Sequence, residues 1–320
     1  MPLDSDQVPV PLARAAWRRG LPLLVIMFAA LVHAASYDFF CDDAFIALRY
    51  AKNLIAHHEL AYNLGQRVEG FTSPLWVLLI SAAGSLGMPL PGATRVLGLG
   101  AGVLTFWALR RFWDELEPRA PRLALAPAAA LAMSAPFAAW VSGGLETPLY
   151  VATFTLSLAL LAREAREPRL RSSVQAGLCV ALCVLCRPEG LTLIAIGSVV
   201  ISLPSPLWPE SRWRRLLGWF APITLLVGGY ELFRLSYYGY PLPNTFYVKT
   251  SGDGLVPRGL AYLGLAASEF GWVLLGACAF AFSYSLITAF RRRGEPHAHS
   301  KRVLLSCTSV ATLVHLSYVA

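Results

Sequence analysis

The sequence predicts an all-α polytopic membrane protein. Hydrophobic residues make up 56% of the chain and charged residues only 14%, a composition that excludes a soluble globular domain of 320 residues. Apolar runs long enough to cross a bilayer recur along the chain, and short arginine clusters separate them. The net charge of +8 therefore indicates the positive-inside pattern of a membrane protein, and we expect no nucleic-acid partner.

The first apolar run follows a basic amino-terminal segment. Arg14, Arg18 and Arg19 precede it, an arrangement that a cleaved signal peptide would share. Because further apolar runs follow in place of a soluble mature chain, we interpret residues 20–37 as an uncleaved first span. Residues 1–19 are then a cytoplasmic tail, and the first span runs outward.

The next apolar run, residues 74–86, is short for a crossing. A crossing here would place Arg110 and Arg111 outside, against the charge rule. We therefore predict a re-entrant or juxtamembrane helix, and residues 38–92 form the first periplasmic loop.

The later spans alternate between arginine clusters inside and short polar motifs outside. We predict spans at residues 93–112, 122–141, 148–162, 173–186, 191–204, 216–233 and 271–290, with another beginning near residue 303. Residues 234–270 form the second periplasmic segment. The prediction is a single transmembrane domain, residues 1–320, with about nine spans. The chain ends inside an apolar run, so we expect the protein to be truncated at its carboxyl terminus.

Two adjacent carboxylates, Asp42 and Asp43, lie just beyond the first span. The spacing after them predicts an amphipathic interfacial helix that carries Asn53 on its polar face and surface histidines at its end, His57 and His58. An aspartate before such a helix is a good N-cap, but one aspartate suffices for a cap. Charge beside a bilayer is costly, so the pair favours a functional site over capping alone.

Glu146, Arg187 and Glu189 lie in two short polar motifs between predicted spans. Taken alone, Glu146 is best interpreted as a helix cap, and Arg187 with Glu189 as an interfacial ion pair. Both interpretations stay open.

The second periplasmic segment is rich in tyrosine and proline. Pro241 and Pro243 enforce an extended backbone, which would position Asn244 and Lys249 without helical hydrogen bonding. Tyrosines here fit the aromatic belt of a membrane boundary, and they also suit a sugar or lipid-headgroup ligand.

Cys179, Cys183 and Cys186 share one predicted helical face inside an apolar run. We interpret them as small buried hydrophobic residues. A metal site would use the same face, but no fourth ligand follows at a familiar spacing.

Five segments together resemble the glycosyltransferase C (GT-C) superfamily, and most closely the bacterial terminal arabinofuranosyltransferase-like group. The segments are residues 42–51, 68–76, 144–149, 187–190 and 238–249, in family order and on one predicted side. The resemblance extends from Arg18 to Ala320. It implies a GT-C-type helix bundle with juxtamembrane helices in the first outer loop. It also implies transfer of a sugar from a polyprenyl-phosphate carrier to an acceptor.

The resemblance implies that Asp42 and Asp43 form the catalytic centre. We expect one of them to be the base of an inverting displacement, with Arg187, Lys249 or Arg67 steadying the departing phosphate. The expected donor-binding residues are Arg67, Glu69, Glu146, Arg187, Glu189, Asn244, Tyr247 and Lys249.

The implied partners are a polyprenyl-phosphate-linked sugar, a cell-envelope glycan or lipid acceptor, and membrane lipid. Arabinofuranose is the sugar that the family suggests. A neutral pentose donor demands no cofactor, although the carboxylate pair could hold a divalent cation. The implied location is the bacterial inner membrane, with the site on the periplasmic face. A transporter (flippase) for a lipid-linked saccharide, and a non-catalytic scaffold or fragment of the same fold, remain alternatives.

Overall fold

In the computed structural model the regular secondary structure of the described residues is all helical; these residues are 10–116, 121–202 and 211–250, with isolated positions between 257 and 287. The helices are α1 Val10–Ala35, α2 Ala44–His57, α3 Pro74–Ser85, α4 Leu90–Leu116, α5 Leu125–Ala132, α6 Ala135–Ser142, α7 Thr147–Arg166, α8 Leu170–Cys186, α9 Leu191–Ser202, α10 Arg212–Ile223, α11 Gly229–Tyr238 and α12 Asn244–Thr250. No strand occurs in these ranges, which confirms the all-α prediction.

Two described helices are long and apolar enough to cross a membrane. They are α4 and the helix Arg212–Tyr238, in which a π-helical turn joins α10 to α11. The bent pair α5 and α6 would make a third crossing, while α3, α8 and α9 are apolar but shorter. The count of about nine spans stays a prediction. The predicted spans at 271–290 and after 303 lie outside the described residues.

The predicted span 122–141 is not one straight helix, because α5 and α6 meet at 66°. Ser134 begins α6 and its Oγ accepts a hydrogen bond from the Phe137 N–H at 3.4 Å. Pro136 follows in the first turn, where its missing N–H costs little. A serine cap followed by proline therefore starts a new helix inside what the sequence presents as one apolar run.

Trp219 of α10 is the centre of the largest apolar core, where α7, α8, α9 and α10 meet. A Cβ atom on Gly177 would lie 2.3 Å from the Trp219 carbonyl oxygen, and one on Gly197 would lie 2.2 Å from the Trp219 ring. The indole N–H donates to Ser198 Oγ at 3.3 Å. Glycine at both positions thus permits the close helix packing that membrane bundles use.

A buried ion pair joins α7, α8 and α10 at their predicted cytoplasmic ends. Two guanidinium nitrogens of Arg215 lie 2.8 Å from Glu164 Oε1, and Ser173 Oγ donates to the same oxygen at 3.1 Å. All three residues are buried. Removing either charge would leave the other uncompensated, so this pair fixes the register of the three helices.

Cys179, Cys183 and Cys186 are buried in α8, as the packing interpretation predicts. Among the described residues, the group of side chains close enough together to hold a metal ion lies elsewhere, around Asp42.

The predicted first periplasmic loop has a small apolar core of its own, built around Tyr50, Phe71 and Trp76. The Tyr50 hydroxyl donates to the Val68 carbonyl at 2.7 Å and accepts from the Gly70 N–H at 2.8 Å. These bonds tie α2 to the loop segment that leads to α3 and so fix where α3 begins.

The prediction for Asn53 is wrong, because its side chain is buried and not on a polar face. Its amide Nδ2 donates to the Ala61 carbonyl at 2.8 Å and to the Tyr62 carbonyl at 2.9 Å. Those two carbonyls belong to a turn after α2, where no helical backbone hydrogen bonds are available to them. The buried Asn53 amide supplies the donors instead.

Candidate functional site

Direct contacts join the five sequence segments of the predicted site. The Cys41 N–H donates to the Gly143 carbonyl at 2.9 Å, and the Trp76 indole donates to the Gly144 carbonyl at 3.2 Å. The Glu69 carbonyl accepts from the Asn244 N–H at 2.9 Å. The predicted first periplasmic loop therefore links the site, since it contacts both the turn before α7 and the segment before α12.

Gly144 permits the closest of these approaches. Its φ of +89° lies in the left-handed region, and a Cβ atom there would lie 2.8 Å from the Phe40 ring and 3.0 Å from the Ala44 side chain. Glycine is needed on both counts. The turn between α6 and α7 consequently lies against the residues that flank Asp42 and Asp43.

The side chains of Asp42 and Asp43 are both exposed. Asp42 Oδ1 accepts from the Asp43 N–H at 2.9 Å and lies 3.6 Å from the Cys41 thiol. Asp43 occupies the N-cap position of α2 but makes no side-chain cap hydrogen bond. Capping therefore does not account for the Asp43 carboxylate, which stays open to a ligand.

The same turn could hold a cation. Cys41 Sγ and one carboxylate oxygen each of Asp42 and Asp43 all lie within 4.8 Å of one another. Partial burial, together with the two nearby carboxylates, raises the pKa of the Cys41 thiol, so the sulfur is protonated at neutral pH and is a poor ligand. The two carboxylates fit a hard cation such as Mg²⁺, with water or substrate oxygens completing the shell.

Arg187 is shared between two carboxylates. Its guanidinium lies 3.1 Å from Glu146 Oε1 and 3.2 Å from Glu189 Oε1. Burial raises the pKa of Glu146, and the charge of Arg187 opposes that shift. The three groups together carry no surplus positive charge, so the pairing interpretation describes Arg187 better than the phosphate role does. Glu146 makes no side-chain cap hydrogen bond to α7.

Glu69 is buried, with 3% of its surface exposed, and its carboxylate is occupied from within the protein. Glu69 Oε2 lies 2.7 Å from Arg234 Nε, and Glu69 Oε1 accepts from the Tyr230 hydroxyl at 2.6 Å. Arg234 also pairs with Glu231 and is itself buried. We call Glu69, Tyr230 and Arg234 the Glu69 clasp, because it fastens α11 to the first loop.

Arg67 lies on the exposed side of the same junction. Its guanidinium is stacked over the Tyr237 ring at 4.6 Å, and Tyr237 in turn stacks on Phe233 at 5.2 Å. This contact is a cation–π interaction that leaves the charge of Arg67 in place.

The prediction that Asn244 and Lys249 lie in extended backbone without helical hydrogen bonds is wrong, because both belong to the short helix α12, which begins at Asn244. The Pro243 carbonyl accepts from the Phe246 N–H at 2.9 Å, so Pro243 starts a helix and does not keep the following residues extended. The side chains of Asn244 and Tyr247 are exposed, and the centre of the Tyr247 ring lies 6.1 Å from the centre of the Tyr240 ring. Lys249 belongs to α12, but its side chain lies outside the described part of the protein.

Sequence patterns missed Tyr230, Arg234 and Arg95. Arg234 and Arg95 are charged residues inside the two helices long enough to cross a membrane. A charge in such a helix is expensive, which is the signal that could have identified both.

Comparison with known proteins supports the resemblance that the motifs indicated. No protein-family model matches the chain. Curated relatives include the terminal β-(1→2)-arabinofuranosyltransferase of Mycobacterium tuberculosis, 28% identical over 291 residues that cover 86% of this chain and 45% of the relative. The enzyme of the same name from Corynebacterium glutamicum is 26% identical over 269 residues, 75% of this chain and 38% of the relative.

The chain spans less than half the length of these curated relatives. Within that span it resembles the arabinofuranosyltransferase-like group, and its helical membrane character agrees with a GT-C enzyme.

Proposed function

We propose that this chain, similar to terminal arabinofuranosyltransferases, is a glycosyltransferase that moves arabinofuranose from a polyprenyl-phosphate carrier to a cell-envelope glycan or lipid. The observation that carries the proposal is the exposed pair Asp42 and Asp43, because the chain on either side of it lies against the turn of Gly143 and Gly144. The names of the curated relatives supply the sugar and the type of reaction.

The chemistry is a direct displacement at the anomeric carbon of the donor. An acceptor hydroxyl attacks that carbon while one aspartate, Asp42 or Asp43, takes the hydroxyl proton. The bond between the anomeric carbon and the phosphate oxygen breaks, and polyprenyl phosphate leaves with the electron pair. One displacement inverts the configuration of the sugar.

The proposed location is the bacterial inner membrane, with the acidic pair on the periplasmic face. The support is the positive-inside distribution of arginines, since Arg110, Arg166 and Arg215 lie at helix ends opposite to the acidic pair in the predicted topology. A donor anchored by its lipid presents its phosphate near the membrane surface, and the acidic pair follows the predicted first span directly.

The proposal is tested with the full chain in lipid nanodiscs, a synthetic polyprenyl-phosphate arabinofuranose and an arabinan oligosaccharide. We expect a pentose to be added to the acceptor, and NMR of the product to show an anomeric configuration opposite to that of the donor. Retained configuration would contradict the displacement. Passage of the donor across a liposome membrane without any transfer would identify a transporter instead.

Labelling of Cys41 tests the predicted side of the membrane. In intact cells we expect a membrane-impermeant maleimide to modify Cys41, because the other described cysteines are buried. Since the pKa of the Cys41 thiol is raised, its thiolate fraction and its labelling rate grow as the pH rises from 7 to 9.

The labelling uses a variant with Cys278 and Cys307 replaced by serine, and Cys41→Ser is the negative control. Modification of Cys41 only after the cells are permeabilised would invert the topology and remove the periplasmic site.

A further inference from the structure

The proposed reaction needs a cation beside the departing phosphate, and Arg187, one of the three residues predicted for that role, is poorly suited. Arg187 is held by Glu146 and Glu189, so its positive charge is already balanced. A phosphate diester approaching these three groups meets no net attraction. Another cation close to the acidic pair would serve better.

Arg95 of α4 contacts the short segment of chain that leads into the acidic pair. One turn along α4, Gly98 is so close to α6 that a Cβ atom there would lie 2.3 Å from the Val141 carbonyl oxygen. Residues three apart share a helix face, so Arg95 lies on the face that packs toward α6. That side of α6 leads to Gly143, whose carbonyl accepts from the Cys41 N–H.

Two contacts of Arg95 place it on the same stretch of chain. Its guanidinium lies 5.9 Å from the centre of the Phe40 ring and 3.8 Å from Asp38 Oδ1. The Phe40 ring packs in turn on the Phe45 ring, with 5.4 Å between their centres, so Arg95, Phe40 and Phe45 form a connected row of side chains that starts before the acidic pair and ends after it in the sequence.

Arg95 also remains accessible. Half of its side chain, 51%, is exposed, and its partner Asp38 is fully exposed at a long contact distance. An ion pair of this kind is worth little, so a phosphate that accepts two parallel N–H bonds from the guanidinium would displace it.

The position of Arg95 along α4 needs a reason. It lies five residues inside the amino end of a helix long enough to cross the membrane, about 7 Å along the axis. The predicted topology places this end outside, where the charge rule disfavours arginine. A charge at this depth is costly unless it meets an anion at the headgroup level.

We propose that Arg95 binds the phosphate of the lipid-linked sugar donor beside the acidic pair. This inference rests on the proposed function for the identity of the donor. The same chemistry would also hold the headgroup of an ordinary phospholipid, and the experiment separates these sources.

The test measures binding of decaprenyl phosphate, without sugar, to the full chain in phosphatidylcholine nanodiscs. We expect Arg95→Ala to weaken binding about tenfold or more, because it removes a charge-assisted pair of hydrogen bonds. Arg95→Lys should recover part of the affinity, since lysine keeps the charge but loses the planar fork. Lys52→Ala, an exposed cation on α2, is the matched control and should bind as the unaltered protein does.

Unchanged binding in Arg95→Ala would overturn the inference. A second result would also overturn it: Arg95→Ala loses the phosphatidylglycerol that co-purifies with the unaltered protein in native mass spectra, but still binds decaprenyl phosphate. That result would assign Arg95 to the headgroup of an ordinary phospholipid. If Arg95→Ala fails to fold, the same measurements are made on Arg95→Gln, which removes the charge but retains the packing on Phe40.

A kinetic readout separates this inference from the proposed function. In the transfer assay, Arg95→Ala should raise the donor KM and leave the acceptor KM unchanged, and an equal rise in both would count against a phosphate role. A chain that binds decaprenyl phosphate through Arg95 but transfers no sugar would refute the proposed function and leave the binding site standing.

Discussion

Replacing Asp42 or Asp43 with asparagine is expected to lower the turnover of sugar transfer by about 10²–10⁴-fold, the range that a general base contributes. Asparagine at position 42 retains an oxygen that can accept from the Asp43 N–H, so the turn keeps its geometry. A loss in Asp42→Asn therefore reports the missing charge and basicity. The larger loss is expected for Asp43→Asn, because no cap hydrogen bond occupies that carboxylate.

The measurement is the initial rate at saturating donor and acceptor, with thermal unfolding recorded in parallel. Asp114→Asn is the matched control, since Asp114 pairs with Arg110 near the predicted cytoplasmic end of α4. Its turnover should equal that of the unaltered protein. Turnover that survives in both Asp42→Asn and Asp43→Asn would exclude the pair as the base.

Removal of metal ions by a chelator distinguishes two roles of Asp42 and Asp43, a general base and a metal-binding site. A base acts without a metal ion, so EDTA should leave the rate unchanged. If the pair holds a cation through its two carboxylates, EDTA should abolish transfer and Mg²⁺ or Mn²⁺ should restore it.

The helices were predictable because a bilayer leaves the backbone few choices. Buried peptide groups must be satisfied within a segment, so apolar runs such as those of α4 and α8 become helices. The break between α5 and α6 was missed because its signals, Ser134 and Pro136, are two residues in an apolar run that hydropathy averages away.

The motifs predicted which segments lie near one another but not the partners of individual side chains. The acidic pair stays a predicted site, chosen because one helix cap needs only one aspartate. Glu69 was assigned to the donor, whereas the structure buries it against Arg234, 165 residues away. No local pattern contains a contact of that sequence separation, and only the fold can supply it.

Glu69→Ala is expected to destabilise the protein by about 3–5 kcal/mol, the cost of removing one partner from a buried ion pair. Only 9% of the Arg234 side chain is exposed, so its charge would lose its main partner without gaining water. Tyr230 would lose the acceptor of its hydroxyl hydrogen bond as well. For a chain of this size the loss corresponds to a fall of about 10 °C in the thermal unfolding midpoint.

Glu231→Ala is the matched control for Glu69→Ala. Glu231 pairs with the same arginine, but 41% of its side chain is exposed, and an exposed pair contributes about 1 kcal/mol or less. The double variant Glu69→Leu, Arg234→Leu should recover much of the stability, because it removes both buried charges together. A Glu69→Ala midpoint no lower than that of Glu231→Ala would show that the clasp does not stabilise the fold.

The double variant also isolates what the Glu69 clasp does for the reaction. The backbone bond from Asn244 to the Glu69 carbonyl does not need the side chain, so α12 keeps that attachment. The hydrogen bond from the Tyr238 hydroxyl to the Leu60 carbonyl, 2.7 Å, holds the end of α11 in place as well. If these two bonds suffice to position the predicted second periplasmic segment, the stable double variant should transfer sugar normally. A raised donor KM in that variant would instead assign the clasp a role in aligning the donor-binding residues with Asp42 and Asp43.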